Sequence, residues 1–151
     1  MFSSLEAGLV VMKKKVKMLD EEYRFRDGVI LSETDLQGII TYANRRFCQI
    51  SGYERKELIG SNHNIVRHPD MPKEVFRQMW QTLQAGDGWE GLIKNLRKDG
   101  RYYWVHTYIE PRWNTEAICG YIAVHRPPDP DEVIEVELQY KALLIQEKAR
   151  T

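Results

Sequence analysis

The sequence lacks the features that mark secreted, membrane-spanning and nucleic-acid-binding proteins. Its two cysteines, Cys48 and Cys119, are far apart and have no C-x-x-C spacing, so we expect free thiols in a reducing compartment. No apolar run approaches the roughly 20 residues of a membrane span, and no signal peptide is evident. Lys and Arg (22) balance Asp and Glu (22), which gives no net field toward nucleic acid. We expect a cytoplasmic protein without nucleic-acid partners or direct membrane insertion.

Catalytic and metal-binding arrangements are also missing. His106 and His125 lie on predicted strands without metal-ligand spacing, and no Ser or Cys stands with a His and an Asp in a pattern typical of nucleophilic catalysis. We therefore predict that the protein is not an enzyme. The length of 151 residues and the 42% hydrophobic content fit one globular domain with short extensions.

Strand-like runs and helical patterns follow one another in a simple order. Strands are predicted at residues 29–32, 38–42, 89–96, 102–110 and 117–125. Helices are predicted at residues 44–51, 54–58 and 72–83. This order predicts an α+β fold with a five-stranded antiparallel sheet and the helices on one face. Asn44 is expected to cap the first helix, with a ligand contact as the alternative.

Amphipathic segments flank this region. A capping box at Ser3 and Glu6 precedes a heptad-like stripe, which predicts an N-terminal helix docked on its own domain or on a second subunit. The stripe consists of Leu5, Leu9, Met12, Val16, Leu19 and Tyr23. Asp129 and Pro130 begin a C-terminal amphipathic helix that leaves the domain. The resulting division is an N-terminal helical cap (1–26), a central domain (27–127) and a C-terminal helix (128–151).

One short connection, residues 62–72, is unusually rich in polar side chains. It contains the adjacent Arg67 and His68, followed by Asp70, and ends at Pro72. A guanidinium presents several N–H donors in one plane, and an imidazole presents a donor whose charge depends on its pKa. The pair can therefore bind a phosphate or pyrophosphate. A solvated loop whose Asp70 begins the next helix is the alternative. The segment indicates an anionic cofactor but leaves the structural interpretation open.

Alternation along the predicted strand 89–96 places Trp89, Gly91 and Asn95 on one face. If that face meets the helices, the Asn95 amide lies in an apolar cavity and needs a hydrogen-bond partner. A flavin edge presents carbonyl oxygens and ring nitrogens that suit an amide; nearby backbone or solvent is the alternative. Gly91 would let a flat ring approach the strand. Trp80 and Trp89 either wall a pocket or belong to the core.

Several segments resemble PAS domains. They are residues 39–44, 51–53, 57–60 and 120–122, so the resemblance covers about residues 29–126. Residues 63–72, together with Trp80, Trp89 and Asn95, closely resemble the PAS domain of Aer-type aerotaxis and energy-taxis receptors. The resemblance implies the PAS fold and non-covalently bound FAD that serves as a redox sensor. It also implies a site in which Arg67, His68 and Asp70 retain the FAD while Trp80, Trp89 and Asn95 surround the flavin, with His63 and Tyr121 as weaker candidates. Asn44 is a cofactor-binding candidate only through the alternative to its capping role.

The resemblance also implies a partner. The chain ends at Thr151 without a transmembrane segment or a methyl-accepting signalling region, which is similar to the separate PAS subunit of bipartite energy-taxis systems. A membrane-bound methyl-accepting chemotaxis transducer, with HAMP and signalling regions, would then receive the signal and hold the chain near the membrane. The outer face of the sheet, including Leu92, would meet the N-terminal stripe, a second subunit in a homodimer, or this transducer.

The sequence argues against one other PAS function and leaves two open. Light-sensing LOV domains require a cysteine at the position of His63, so the same photoadduct cannot form here. A haem-binding PAS oxygen sensor would use His63 or His68 as an iron ligand. A cofactor-free PAS dimerisation or scaffold module would bind its partners through the terminal helices.

Overall fold

The chain forms a five-stranded antiparallel sheet with most of its helices between the second and third strands. The computed structural model describes residues 16–150. The strands are β1 (Ile30–Thr34), β2 (Ile40–Ala43), β3 (Trp89–Leu96), β4 (Tyr102–Trp113) and β5 (Ile118–Arg126). The helices are α1 (Arg45–Ser51), α2 (Arg55–Leu58), a 3₁₀ helix (His63–Val66), α3 (Lys73–Gln84) and α4 (Pro130–Ala149). The predicted α+β fold class is confirmed, and the predicted strand 89–96 coincides with β3.

The sheet has the order β2-β1-β5-β4-β3, so β2 and β3 are its two edges. Because these edge strands are consecutive in the chain, the connection between them must cross the whole sheet. That crossing carries α1, α2, the 3₁₀ helix and α3. Phe47 of α1 and Leu83 of α3 are fully buried in the core that results. The loop at residues 62–72 lies in the middle of this crossing.

The ends of α1 follow the predicted signals. The Asn44 side chain accepts a hydrogen bond from the Phe47 N–H at 3.0 Å and donates one to the Val29 carbonyl at 3.0 Å. Gly52 ends the helix with a φ of 80°, a left-handed conformation that glycine adopts without strain. Asn44 thus acts as a helix cap, as expected.

The predicted N-terminal helix is wrong for residues 16–26, which contain no helix. The segment pairs with the β3–β4 hairpin instead: the Leu19 N–H donates to Gly100 at 2.8 Å, and the Tyr23 N–H donates to Tyr102 at 2.7 Å. Phe25 is buried, and the Arg97 guanidinium lies 3.9 Å from the Tyr23 ring centroid. These long-range contacts outweigh the local helical spacing. The rest of the predicted stripe, Leu5, Leu9 and Met12, lies outside the described residues.

Helix α4 begins at the predicted Asp129 cap, but it does not leave the domain. It lies against the outer face of the sheet, where the Tyr140 hydroxyl donates to the Leu92 carbonyl at 2.6 Å. The Tyr140 ring also stacks on Trp104, with centroids 6.2 Å apart. No residue of α4 is fully buried, which shows that the contact is shallow. The outer face therefore has an intramolecular partner that the sequence did not predict.

Glu147, near the end of α4, caps the start of α3. Its carboxylate oxygens accept the backbone N–H groups of Lys73 at 3.1 Å and Glu74 at 3.0 Å. Pro72 occupies the N-cap position and has no side-chain oxygen to do so. The carboxylate also suits the positive end of the α3 dipole. Two elements that are distant in sequence are thus joined at the first turn of α3.

Glu147→Ala is expected to lower the free energy of unfolding by about 1 kcal/mol, as loss of a helix cap does. Urea unfolding measures this change, and hydrogen exchange at the Lys73 and Glu74 amides should accelerate. The exposed neighbour Gln146 supplies the matched control, Gln146→Ala, which should change neither quantity. Equal exchange rates in the two variants would contradict the cap.

Candidate ligand-binding site

A cavity lies between α3, the 62–72 loop and the inner face of the sheet. Its empty volume is about 720 Å³, including the part that opens to solvent. Its apolar wall comes mainly from Phe76, Met79, Trp80, Leu83, Ile93 and Tyr121. Its polar groups include Asn62, His63, Asn64, Arg67, Asn95 and His125.

Two aromatic residues form one end of the apolar wall. Trp80 of α3 and Tyr121 of β5 meet edge to face, with centroids 5.3 Å apart and planes at 75°. Burial raises the pKa of Tyr121, so its hydroxyl stays protonated at neutral pH. Both residues line the cavity where the sequence placed them.

The 62–72 loop is attached to both edges of the sheet. Asn62 bridges Ile39 beside β2, and Arg67 bridges Asn95 of β3. The His63 N–H also donates to the Gly38 carbonyl at 2.9 Å. The loop therefore spans the cavity from one edge strand to the other, and its backbone is fixed at both ends.

Arg67 lies at the cavity surface, as expected of a residue that binds an anionic group. Its guanidinium carbon is 3.5 Å from the Phe76 ring centroid, a cation–π contact that holds the side chain against α3. Partial burial lowers the pKa of Arg67, but an arginine remains charged at neutral pH. The described contacts leave its N–H donors available to a ligand in the cavity.

His68 and Asp70 do not line the cavity, in contrast to the prediction that His68 faces a phosphate beside Arg67. The His68 ring is buried, and its Nδ1 accepts the Asp70 N–H at 3.0 Å. Burial and the Lys94 ammonium lower the pKa of His68, whereas Asp70 acts in the opposite direction. The Asp70 carboxylate instead binds the Lys94 ammonium at 3.1 Å. Side chains of adjacent residues in an extended backbone point to opposite sides, so Arg67 faces the cavity while His68 does not. The contacts of His68 and Asp70 indicate that these two residues stabilise the shape of the loop.

Trp89 does not line the cavity either, because its indole covers its own strand. A Cβ at Gly91 would stand 2.6 Å from the Trp89 ring. The flat group that approaches Gly91 is thus Trp89 itself, which packs between the two clusters of the core. Asn44 is likewise outside the cavity, since both ends of its amide hold α1. A ligand contact for either residue remains a prediction without support from this geometry.

Asn95 lies on the inner face of β3, as alternation predicted. It is 6% exposed and lines the cavity. Its partner across β4 is Tyr103, which is fully buried and whose hydroxyl has no hydrogen-bond partner within the described part of the chain. Burial raises the pKa of Tyr103, so this hydroxyl is a neutral donor. The Asn95 side chain opposes this rise in pKa, so it lies close to the phenol, which is outside the lining of the cavity.

Two histidines occupy the inner part of the cavity. His63 lies between the rings of Phe47 and His125, with centroids 5.6 and 5.8 Å away. Its Nε2 is 3.2 Å from the Ser32 hydroxyl. Burial lowers the pKa of His63 to about 4, and burial with the nearby His63 lowers that of His125 to about 3. Both rings are therefore neutral at physiological pH.

His125 was missed as a site residue, although one signal was available. Alternation along β5 puts Tyr121, Ala123 and His125 on the same face, and Tyr121 was already a candidate. From the sequence, His125 was considered only as a metal ligand.

Among residues 16–150 the structure contains no cluster of His, Cys, Asp and Glu that could hold a metal ion. Within the same range, no helix has the length and apolarity needed to cross a membrane.

Comparison with known proteins identifies the fold family. The model of the PAS fold family matches residues 40–125. The aerotaxis receptor of Escherichia coli K12 is 47% identical over 117 residues, which are 78% of this chain and 23% of that receptor. The chain belongs to the PAS family. A second relative of the PAS domain, the nitrogen fixation regulatory protein of Klebsiella pneumoniae, is 32% identical over 78% of the chain and 24% of its own length.

Solved structures agree with the PAS fold. A light-oxygen-voltage domain studied with a flavin analogue superposes with a TM-score of 0.61 at 22% identity, covering 82% of this chain and 87% of the other. The PAS domain spans about a quarter of the length of the two curated relatives. Cys48, in α1, and Cys119, in β5, are both outside the lining of the cavity, so no thiol of the described residues lies where a ligand would bind.

Proposed function

We propose that this PAS domain binds FAD in its cavity and serves as a non-enzymatic redox sensor for aerotaxis or energy taxis. The observation that carries the proposal is the combination, in one cavity, of an apolar aromatic wall, an inner polar end and an arginine at the surface. The similarity to an aerotaxis receptor and the fold shared with a flavin-containing domain support the same assignment.

The cavity residues fit the parts of FAD. Trp80 and Tyr121 provide an apolar surface for a planar ring, and Asn95 can both donate to and accept from its polar edge. Arg67 carries the charge that a pyrophosphate requires. The unpaired Nε2 of His125 is a buried polar atom in the cavity lining that a ligand could satisfy. FAD, when bound, supplies a ring that accepts and returns electrons.

Asn95 provides a route from the cavity to the surface. A changed hydrogen bond at its amide would move β3, and its backbone is bridged to Arg67. Three residues earlier on the same strand, the Leu92 carbonyl accepts the Tyr140 hydroxyl of α4. We propose that α4 and the outer face of the sheet pass the redox state of the cavity to a partner. The size of that response is limited by the difference in contacts between the two redox states.

The partner in this proposal is a membrane-bound methyl-accepting chemotaxis transducer, which would keep a cytoplasmic sensor at the membrane. The exposed apolar residues Ile134, Leu138 and Ile145 on α4 offer a surface for such a contact. A homodimer through the N-terminal stripe stays a prediction, because most of that stripe lies outside the described residues.

Absorption spectroscopy tests the cofactor. Purified protein should show a flavin band near 450 nm and release a yellow fluorescent flavin on denaturation. A Soret band without flavin would favour the haem alternative, in which His63 is the candidate ligand that lines the cavity. Colourless protein that cannot be reconstituted with FAD would favour the scaffold alternative.

Arg67→Ala is expected to weaken FAD binding about tenfold, equivalent to about 1.4 kcal/mol, because a charge-assisted phosphate contact is lost. Binding of riboflavin, which has the same ring without phosphate, should be nearly unchanged. The free energy of unfolding should change by no more than about 1 kcal/mol, the contribution of one cation–π contact.

The control for this prediction is Arg77→Ala. Arg77 lies on the exposed side of α3, is paired with Glu74 and does not line the cavity. Its replacement should leave both affinities unchanged. Equal weakening of riboflavin and FAD by Arg67→Ala would remove Arg67 from the phosphate site.

A further inference from the structure

The cavity lining contains a buried ring nitrogen that has no hydrogen-bond partner among the described residues. His125 is only 4% exposed and lines the cavity from β5. Its Nε2 has no hydrogen-bond partner among residues 16–150. Buried polar atoms in proteins are nearly always paired, so an unpaired one needs a reason.

The other ring nitrogen of His125 is fixed. Its Nδ1 lies 2.7 Å from the hydroxyl of Thr107, the residue opposite it on β4, and Thr107 is fully buried. If the hydroxyl donates to Nδ1, the hydroxyl proton and the Nδ1 lone pair are both satisfied. If Nδ1 instead carried a proton and donated it to the hydroxyl oxygen, the hydroxyl proton and Nε2 would both lack a partner. The first arrangement makes His125 the tautomer that carries its proton on Nε2.

The neighbouring histidine cannot supply the missing partner. The ring of His63 is tilted by 40° to that of His125, with centroids 5.8 Å apart, and its Nε2 is directed to Ser32. Desolvation keeps both rings neutral, so His125 has one N–H to donate. Because His125 lines the cavity, a ligand bound there can supply an acceptor that the described residues do not.

We infer that His125 is a ligand-binding residue whose Nε2–H donates to a carbonyl oxygen or an unprotonated ring nitrogen of a planar heterocycle. The inference rests on the proposed function in that an isoalloxazine ring carries such acceptors. It adds to that function a second polar contact from β5, separate from Asn95 on β3. His125 and Asn95 would then fix the orientation of the ring within its plane, while Trp80 contacts the ring as a surface.

A double variant tests the inference. Thr107→Val combined with His125→Leu removes both partners of the internal hydrogen bond, so no new unpaired group is created. Affinity for FAD should fall about tenfold, and affinity for riboflavin should fall by the same factor because the contact is to the ring. The ligand-free protein should keep its melting temperature or gain a few degrees, since a buried unpaired donor has been removed.

His125→Gln supplies the rescue control, because its amide keeps a donor near the same position. This variant should recover most of the affinity for both flavins. Unchanged affinity in the double variant, or a fall in affinity matched by a lower melting temperature of the ligand-free protein, would assign His125 a structural role and overturn the inference.

Nitrogen-15 NMR of the histidine rings separates this inference from the proposed function. The ligand-free protein should show His125 with its proton on Nε2, and adding riboflavin should shift that resonance. If the wild-type protein binds neither flavin, the proposed function fails. In that case an Nε2–H tautomer and a higher melting temperature of the double variant still support a donor kept for another heterocycle. A proton on Nδ1 contradicts the inference whether or not flavin binds.

Discussion

Replacing His68 with alanine is expected to lower the free energy of unfolding by about 3 kcal/mol. The His68 ring is 5% exposed and meets the Tyr102 ring edge on, with centroids 6.4 Å apart. Its removal leaves a cavity and also leaves the Asp70 N–H without its acceptor at 3.0 Å. Each of these losses costs about 1–3 kcal/mol. Loss of FAD from this variant would then follow from a disordered loop and not from a missing phosphate contact.

The measurement is urea unfolding of the flavin-free protein. His68→Asn is the matched variant, because the asparagine oxygen can take the place of Nδ1, and it should recover part of the stability. Arg67→Ala, one residue away at the surface, should remain close to wild type. A stable His68→Ala protein with weakened FAD binding would instead restore the prediction that His68 contacts the cofactor.

Acidification from pH 7 to pH 4 is expected to destabilise the flavin-free protein by about 3 kcal/mol from His63 alone. The pKa of His63 is about 4 in the folded protein and about 6.5 in the unfolded chain. Between these values the unfolded chain binds more protons, so the free energy of unfolding falls as the pH falls below about 6.5. The lowered pKa of His125, about 3, acts in the same direction.

Denaturant titrations at pH 7, 5.5 and 4.5 measure this slope. The double variant Thr107→Val with His125→Leu should have a shallower slope, because one buried histidine no longer titrates. His106→Gln is the control: His106 lies at the surface, 2.7 Å from the Glu90 carboxylate, and this replacement should retain the dependence on His63 and His125. A free energy of unfolding that is constant between pH 7 and pH 4.5 would show that the rings of His63 and His125 are not held neutral.

Much of the fold was predictable because its elements carry strong local signals. The alternation of β3, the cap at Asn44 and the spacing of apolar residues on α3 each specify local structure, and the order of these elements specifies the sheet. The same reasoning placed Asn95 on the inner face, and the family resemblance added Tyr121. Asn95 and Tyr121 could be assigned without knowledge of the contacts that they make with distant parts of the chain.

The predictions that were wrong concern features that depend on contacts between distant parts of the chain. Helical spacing up to Tyr23 carried no information about pairing with Tyr102, which places that segment on the hairpin. The opposite directions of Arg67 and His68 depend on where the loop meets β3. The occupation of the space at Gly91 by Trp89 is a rotamer choice that sequence patterns do not encode. For the site, sequence therefore identified the loop and strand but did not distinguish the residues that face the cavity from those that shape it.

The double attachment of the 62–72 loop also bears on solubility. An open sheet exposes unpaired backbone groups on both outer strands, and such groups can recruit other chains into aggregates. Here the loop pairs with the residues beside β2 at Asn62 and with β3 at Arg67, and the Met71 sulfur accepts the Lys94 N–H at 3.3 Å. The segment proposed to hold the cofactor thus also covers both margins of the sheet. Substitutions that loosen it would favour intermolecular strand pairing even if the hydrophobic core remained intact.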